Sequence, residues 1–151
     1  MGQNPEGGAS GGGENAAISR FLGVWEFASG RITERCNDER SASDDLAGTF
    51  LAVDPGKGSV VVMREAGNCN VEFRVDGDRA TVLPDQKCPL SGGSATDGTY
   101  HGDITFHSGS MVLLDGGLTM AHTYELYVKW QSGANLRCFG EKLGALQRSS
   151  N

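Results

Sequence analysis

Turn signals recur along this chain and divide it into a series of short apolar stretches. Ala66-Gly67-Asn68, Asp76-Gly77, Gly116-Gly117 and Ser132-Gly133 each separate short apolar runs, as does Asp54-Pro55-Gly56-Lys57-Gly58. Asp-Gly between alternating stretches is a strong short-range hairpin signal, because a two-residue hairpin turn needs positive φ angles. No window of twelve or more residues carries apolar groups at helical spacing. The spacing therefore predicts an all-β domain. Strands are expected at Phe21–Ser29 (continuing through a kink at Gly30 to Cys36), Ala47–Val53, Ser59–Glu65, Cys69–Val75 and Arg79–Leu83. Further strands are expected at Gly98–His107, Ser110–Leu114, Leu118–Trp130 and Leu136–Leu143. The segments Asn37–Asp45 and Asp85–Thr96 read as loops, and Lys142–Arg148 as one helical turn at most.

Eight or nine antiparallel strands joined by tight turns close naturally into an up-and-down β-barrel, which removes exposed edges. A two-sheet sandwich is the competing architecture. Alternation assigns the faces. Val71, Phe73 and Val75 share one side, and Met120, His122, Tyr124, Leu126, Val128 and Trp130 share another. Ile104 and Phe106 point inward, leaving His101, Asp103, Thr105 and His107 outside.

The four cysteines, Cys36, Cys69, Cys88 and Cys138, are separated by 33, 19 and 50 residues. A zinc site usually draws its cysteines as close pairs, so two disulfides in an oxidising compartment is the preferred reading over four buried thiols. Three pairings are possible. The Asp76-Gly77 hairpin brings Cys88 back toward Cys69, and closing the first strand on the last brings Cys36 to Cys138. That pairing is the expected one.

The formal net charge is -6, so general nucleic-acid binding is not expected. The longest aliphatic run, Val60–Met63, is far too short to span a bilayer as a helix. Residues 1–19 are read as a flexible Gly-rich tether, 20–146 as the β domain and 147–151 as a disordered tail. The tether resembles the segment that follows the lipid-bearing cysteine of bacterial lipoproteins. That resemblance implies a removed signal peptide, Met1 in place of the processed cysteine, and a secreted, periplasmic or outer-membrane location. Membrane attachment is then expected through the lipid anchor alone.

Gly23-Val24-Trp25 near the start of the first strand resembles the G-x-W signature of lipocalins and other calycin barrels. The resemblance implies a Trp that plugs one end of the barrel beneath a ligand cavity. Arg137 and Arg148 are the candidates for a basic partner covering that Trp. The T-D-Y-like segment and the long C-terminal helix of the family are missing. The biotin-contact motifs of streptavidin-like proteins, which share a G-x-W start, are also missing. Gly67-Asn68-Cys69-Asn70 is similar to the G-C-N element of small META-type lipoprotein domains. Together these features resemble an uncharacterised lipocalin-like secreted lipoprotein.

A ligand inside such a barrel would meet Trp25, Phe27, Phe73, Met120 and Trp130, with His122 and Tyr124 as the orienting polar groups. The alternative is that His122 is a core histidine and Tyr124 reaches the rim of a filled interior. His101 and His107 are six residues apart, roughly 20 Å along a strand, too far for one metal ion. Asp76-Gly77-Asp78 lacks the remaining spacing of a calcium loop. Glu34, Asp38, Glu39, Asp44 and Asp45 are interleaved with Arg31, Arg35 and Arg40 and read as a solvated charged stretch. No metal site and no cofactor are expected. No nucleophile elbow, zinc-protease, phosphate-loop or dinucleotide pattern occurs, so catalysis is not expected.

Two functions follow as expectations. One is a monomeric envelope module that binds a small apolar or amphipathic ligand, supported by a cavity above roughly 300 Å³ beside Trp25 and His122. The other is a protein-interaction module with a filled core, presenting the segments 37–45 and 85–96 to a protein partner.

Overall fold

The computed structural model describes residues 16–65, 69–96 and 98–149. The tether up to residue 15 lies outside them, as do residues 150–151 and the Gly67-Asn68 part of the segment likened to META-type domains. Ala16–Ser19 form a single helical turn.

The rest is β structure, as the turn spacing predicts. Ten strands follow in order: β1 (Gly23–Cys36), β2 (Ser41–Asp45), β3 (Phe50–Pro55), β4 (Val60–Glu65) and β5 (Cys69–Asp76), then β6 (Arg79–Val82), β7 (Gln86–Ser94), β8 (Gly98–Leu114), β9 (Gly117–Trp130) and β10 (Asn135–Arg148). All pair antiparallel in one sheet. Hydrogen bonding passes from β1 through β3, β4, β5, β6, β8, β9 and β10, and β10 pairs back onto β1, so the path is a closed ring. β2 flanks β1 and β7 flanks β8.

Three expectations are corrected. The segments expected as loops at 37–45 and 85–96 contain β2 and β7. Their compositions, Ser-Ala-Ser-Asp-Asp and a Pro/Gly/Ser-rich run, carry no strand signal of their own. They pair because β1 and β8 are long and extend beyond β3 and β6, so partner context overrides propensity. β2 and β3 keep one register along β1 and are two parts of the same returning arm. The strands expected separately at 98–107 and 110–114 are one strand, with His107 inserted as a bulge between Phe106 and Ser108. The stretch 142–148, expected as a helical turn at most, is strand paired to β1.

Inside the ring, alternation holds. Val71, Phe73 and Val75 on β5 are buried with Val61 and Met63 on β4, Ala80 on β6 and Met111 on β8. Burying each such large side chain contributes about 1.5–3 kcal/mol. Ile18, Phe21 and Trp25 close the lower end, where the Trp25 indole donates to the Phe21 carbonyl at 2.9 Å. The Arg148 guanidinium lies 4.3 Å from the centre of the Trp25 ring and donates to the carbonyls of Leu22 and Arg20, both at 2.6 Å.

The high glycine content has a use beyond turns. Several glycines face large side chains across a strand pair. A Cβ at Gly144 would stand 2.7 Å from the Phe27 ring, and one at Gly92 would stand 2.6 Å from the Tyr100 hydroxyl. Rings therefore lie flat against backbone where ordinary residues would hold them off.

Both disulfides have the expected pairing. Cys36–Cys138 joins directly opposed residues of β1 and β10, and Cys69–Cys88 ties the start of β5 to β7. No cysteine is free. Two disulfides are the mark of an oxidising extracellular or periplasmic environment. Among the described residues, no helix is long and apolar enough to cross a membrane.

Candidate functional site

Above the packed lower half, β1, β8, β9 and β10 continue upward while β4 and β5 stop. The inward positions of the tall strands then line a cleft of about 270 Å³. Its apolar walls are Ile32, Ile104, Phe106 and the Cys69 end of a disulfide; its polar groups are Glu34, His122, Tyr124 and Lys142.

The register explains the grouping. Gly140 on β10 pairs with Glu34 on one side and Tyr124 on the other. One row lower, Lys142 pairs with Ile32 and His122. The Tyr124 hydroxyl donates to Glu34 Oε2 at 2.6 Å. A Cβ on Gly140 would collide with the Tyr124 ring, so glycine at this position lets the side chain cross β10. Lys142 bends downward, its ammonium 5.8 Å from the centre of the Phe27 ring.

His122 is 2% exposed and packs at 5.5 Å from the Phe106 ring and 6.1 Å from Tyr124. Burial, and secondly the positive charge of Lys142, lower its pKa to about 4. The imidazole is therefore neutral at pH 7 and presents one donor and one acceptor rather than a cation.

The candidate ligand residues are dispersed. His122 and Tyr124 line the cleft. Trp25 plugs the lower end, Phe73 sits in the lower core, and Phe27 and Met120 are buried below the cleft floor. Trp130 lies at the upper end of β9, against Tyr100 at 4.8 Å between ring centres. Five lining residues were not among the candidates: Ile32, Glu34, Ile104, Phe106 and Lys142. The composition around Glu34 predicts a solvated charged stretch. Glu34 instead faces inward, two residues beyond Ile32 on the same face of β1. For Lys142 the available signal is a charge at an inward position of an alternating strand, whereas the bulge after Phe27 reverses the alternation that would place Glu34 outside.

The other clusters remain outside. His107 pairs with Glu125 at 3.2 Å and stacks on Phe139, and His101 is exposed on the outer surface. Arg137 also pairs with Glu125 and lies over Tyr127, so Arg148 is the residue that covers Trp25. Glu34 and the sulfurs of Cys36 and Cys138 lie within 4.8 Å of one another. Those sulfurs are bonded to each other and supply no thiolate ligand. A larger hollow, about 680 Å³, lies against Ser41–Ser43, Thr33, Arg35, Phe139 and Glu141. It lacks a buried polar group comparable to His122, so the smaller cleft is the better candidate for a small-molecule site.

No protein-family model, curated protein sequence or solved structure matches the chain.

Proposed function

We propose that this chain is a secreted or envelope-tethered, lipocalin-like β-barrel that holds a small apolar or amphipathic ligand in the cleft above Phe106 and His122. The observation that carries the reading is the lining itself. Apolar side chains surround a few placed polar groups, the usual composition of a small-ligand site. The volume, about 270 Å³, suits a compact ligand near the lower limit for such pockets. The closed ring of pairings supports the barrel reading. So does Gly23-Val24-Trp25 at the closed end with Arg148 laid over the indole. The two disulfides and the Gly-rich stretch before the domain support an envelope lipoprotein.

Titration with the apolar fluorophore N-phenylnaphthylamine tests this. Saturable binding is expected, and Ile104→Trp, which fills the cleft, is expected to abolish it with the fold intact. Binding that never saturates, or that survives in Ile104→Trp, overturns the reading. Native mass spectrometry of freshly purified protein adds a second arm by identifying any ligand carried along.

A second reading, a protein-interaction module, is favoured by one feature. Phe139 is 59% exposed beside the outer hollow, and Leu143 on the same face of β10 is also exposed.

A further inference from the structure

The upper half of the ring is incomplete. β4 and β5 have no continuation there, so β2 on one side and β7 on the other each keep one edge without a strand partner among the described residues. The two edges are not alike. β7 contains Pro89, which has no N–H to offer. Beside it, the Gln86 side chain accepts from the Glu72 N–H at 2.7 Å and donates to the Glu72 carbonyl at 2.8 Å, and Cys88 is bonded to Cys69 on β5. That end of the edge is blunted and covered, and its remainder, Leu90–Ser94, carries no charged side chain to select a partner. β2 has neither proline nor cover, and all of Ser41–Asp45 is exposed.

Register fixes which backbone groups β2 leaves outward. The Cys36 N–H donates to the Arg40 carbonyl and the Leu46 N–H donates to the Gly30 carbonyl, flanking the pairing of β1 with β2. In an antiparallel pair the bonded residues alternate. Ala42 and Asp44 therefore bond toward β1, while the N–H and C=O groups of Ser41, Ser43 and Asp45 point away from it. Such a row is a template for one more strand. Of the two acidic residues of β2, Asp44 shares its face with Glu34 on β1, while Asp45 stands opposite Arg31, whose guanidinium donates to the Ser43 hydroxyl at 2.8 Å.

We propose that the free edge of β2 binds an extended, Lys- or Arg-bearing segment of a partner polypeptide by strand addition along Ser41–Asp45. The site goes beyond the small-ligand reading and does not depend on it. Backbone groups supply the affinity, and Asp44, with Glu34 on the same face, selects a basic strand over an acidic one.

The probe is the capped heptapeptide KVKVKVK, with hydrogen exchange of single backbone amides as the readout. Exchange at Ser41, Ser43 and Asp45 is expected to slow on addition of the peptide. EVEVEVE is expected to bind at least about tenfold more weakly, the equivalent of roughly 1.4 kcal/mol. KVKVKVK methylated on the backbone nitrogens that face β2 keeps its charge and is expected not to bind. Ser43→Pro removes an N–H that does not bond to β1. It is expected to retain fold and N-phenylnaphthylamine binding while losing the peptide, which separates this site from the cleft. Unchanged binding of the N-methylated peptide, or protection that avoids these three amides, overturns the proposal. So does peptide binding retained by a folded Ser43→Pro protein. If Ser43→Pro does not fold, the N-methylated peptide decides. Protection of the same amides that grows with protein concentration alone would assign the edge to a second copy and likewise overturn it.

Discussion

Tyr124 on β9 donates a 2.6 Å hydrogen bond to Glu34 on β1, across a strand to which neither residue belongs. Gly140 of β10 stands between them in register with both. The bond exists because position 140 has no side chain. Gly140→Ala would press a methyl group into the Tyr124 ring. Overpacking of this kind costs about 1–3 kcal/mol. Urea denaturation should show that loss for Gly140→Ala, and a smaller one of about 1 kcal/mol for Tyr124→Phe, which removes only the hydroxyl. The double variant Gly140→Ala, Tyr124→Ala should cost clearly less than the sum of its single changes, since the clash is then gone. Strict additivity would show that the two residues do not share space.

His122 sets a pH dependence whose direction is fixed by its burial. Its folded pKa of about 4 lies below the ordinary histidine value of 6.5, so between these values the unfolded chain binds the proton more readily. Stability therefore rises with pH across this window. The contribution of the neutral imidazole is complete above pH 6.5 and is lost as pH falls toward 4. The full difference is roughly 3 kcal/mol. The check is unfolding free energy from pH 7.5 to 4 for the native sequence and for His122→Leu. Carboxylates titrate in both proteins, so the difference between their curves isolates the histidine. Parallel curves would mean that His122 is not held neutral by its surroundings.

How much of this was readable from the sequence differs by element. The hairpins at Asp76-Gly77 and Gly116-Gly117 were legible, because tight turns announce themselves locally. The disulfide pairing was legible too: Cys36–Cys138 follows from the first and last strands being neighbours, and Cys69–Cys88 from the hairpin at Asp76-Gly77 that turns the chain back. β2 and β7 were not, because nothing in Ser41–Asp45 or Gln86–Ser94 prefers extended structure. They are strands through β1 and β8, whose upper halves would otherwise lack partners on those sides. The cleft was half legible. His122 and Tyr124 follow from alternation along β9, whereas Glu34 faces inward because the bulge after Phe27 switches the inward positions of β1 from Trp25 and Phe27 to Ile32 and Glu34. Gly140 has no sequence signal at all, since its role depends on a ring from the neighbouring strand.

Arg148 should be indispensable to the closed end. Its guanidinium covers Trp25 and satisfies two carbonyls at once, which an ammonium on a flexible stem does not reproduce. Arg148→Ala is expected to cost about 1–3 kcal/mol and to shift the Trp25 emission to longer wavelength as water reaches the indole. Arg148→Lys should recover little of either. A Trp130→Phe background leaves Trp25 as the single reporter, because the chain has two tryptophans. An unshifted spectrum in Arg148→Ala would mean that the indole is sealed by Phe21 and its neighbours without help from the arginine.

The two disulfides should differ in worth, and in a definite order. Cys36–Cys138 closes a sequence separation of 102 residues and Cys69–Cys88 one of 19. Chain-entropy estimates give about 4.7 kcal/mol for the longer loop and about 3 kcal/mol for the shorter. Denaturant unfolding of Cys36→Ala, Cys138→Ala and of Cys69→Ala, Cys88→Ala measures the two losses. The long-range pair is expected to cost more, because it holds together the first and last strands of the ring in every unfolded conformation. The reverse order would locate the stabilisation in the native state instead. The important feature would then be the hold of Cys69 on β7, beside the Gln86 side chain that already bridges β7 to β5.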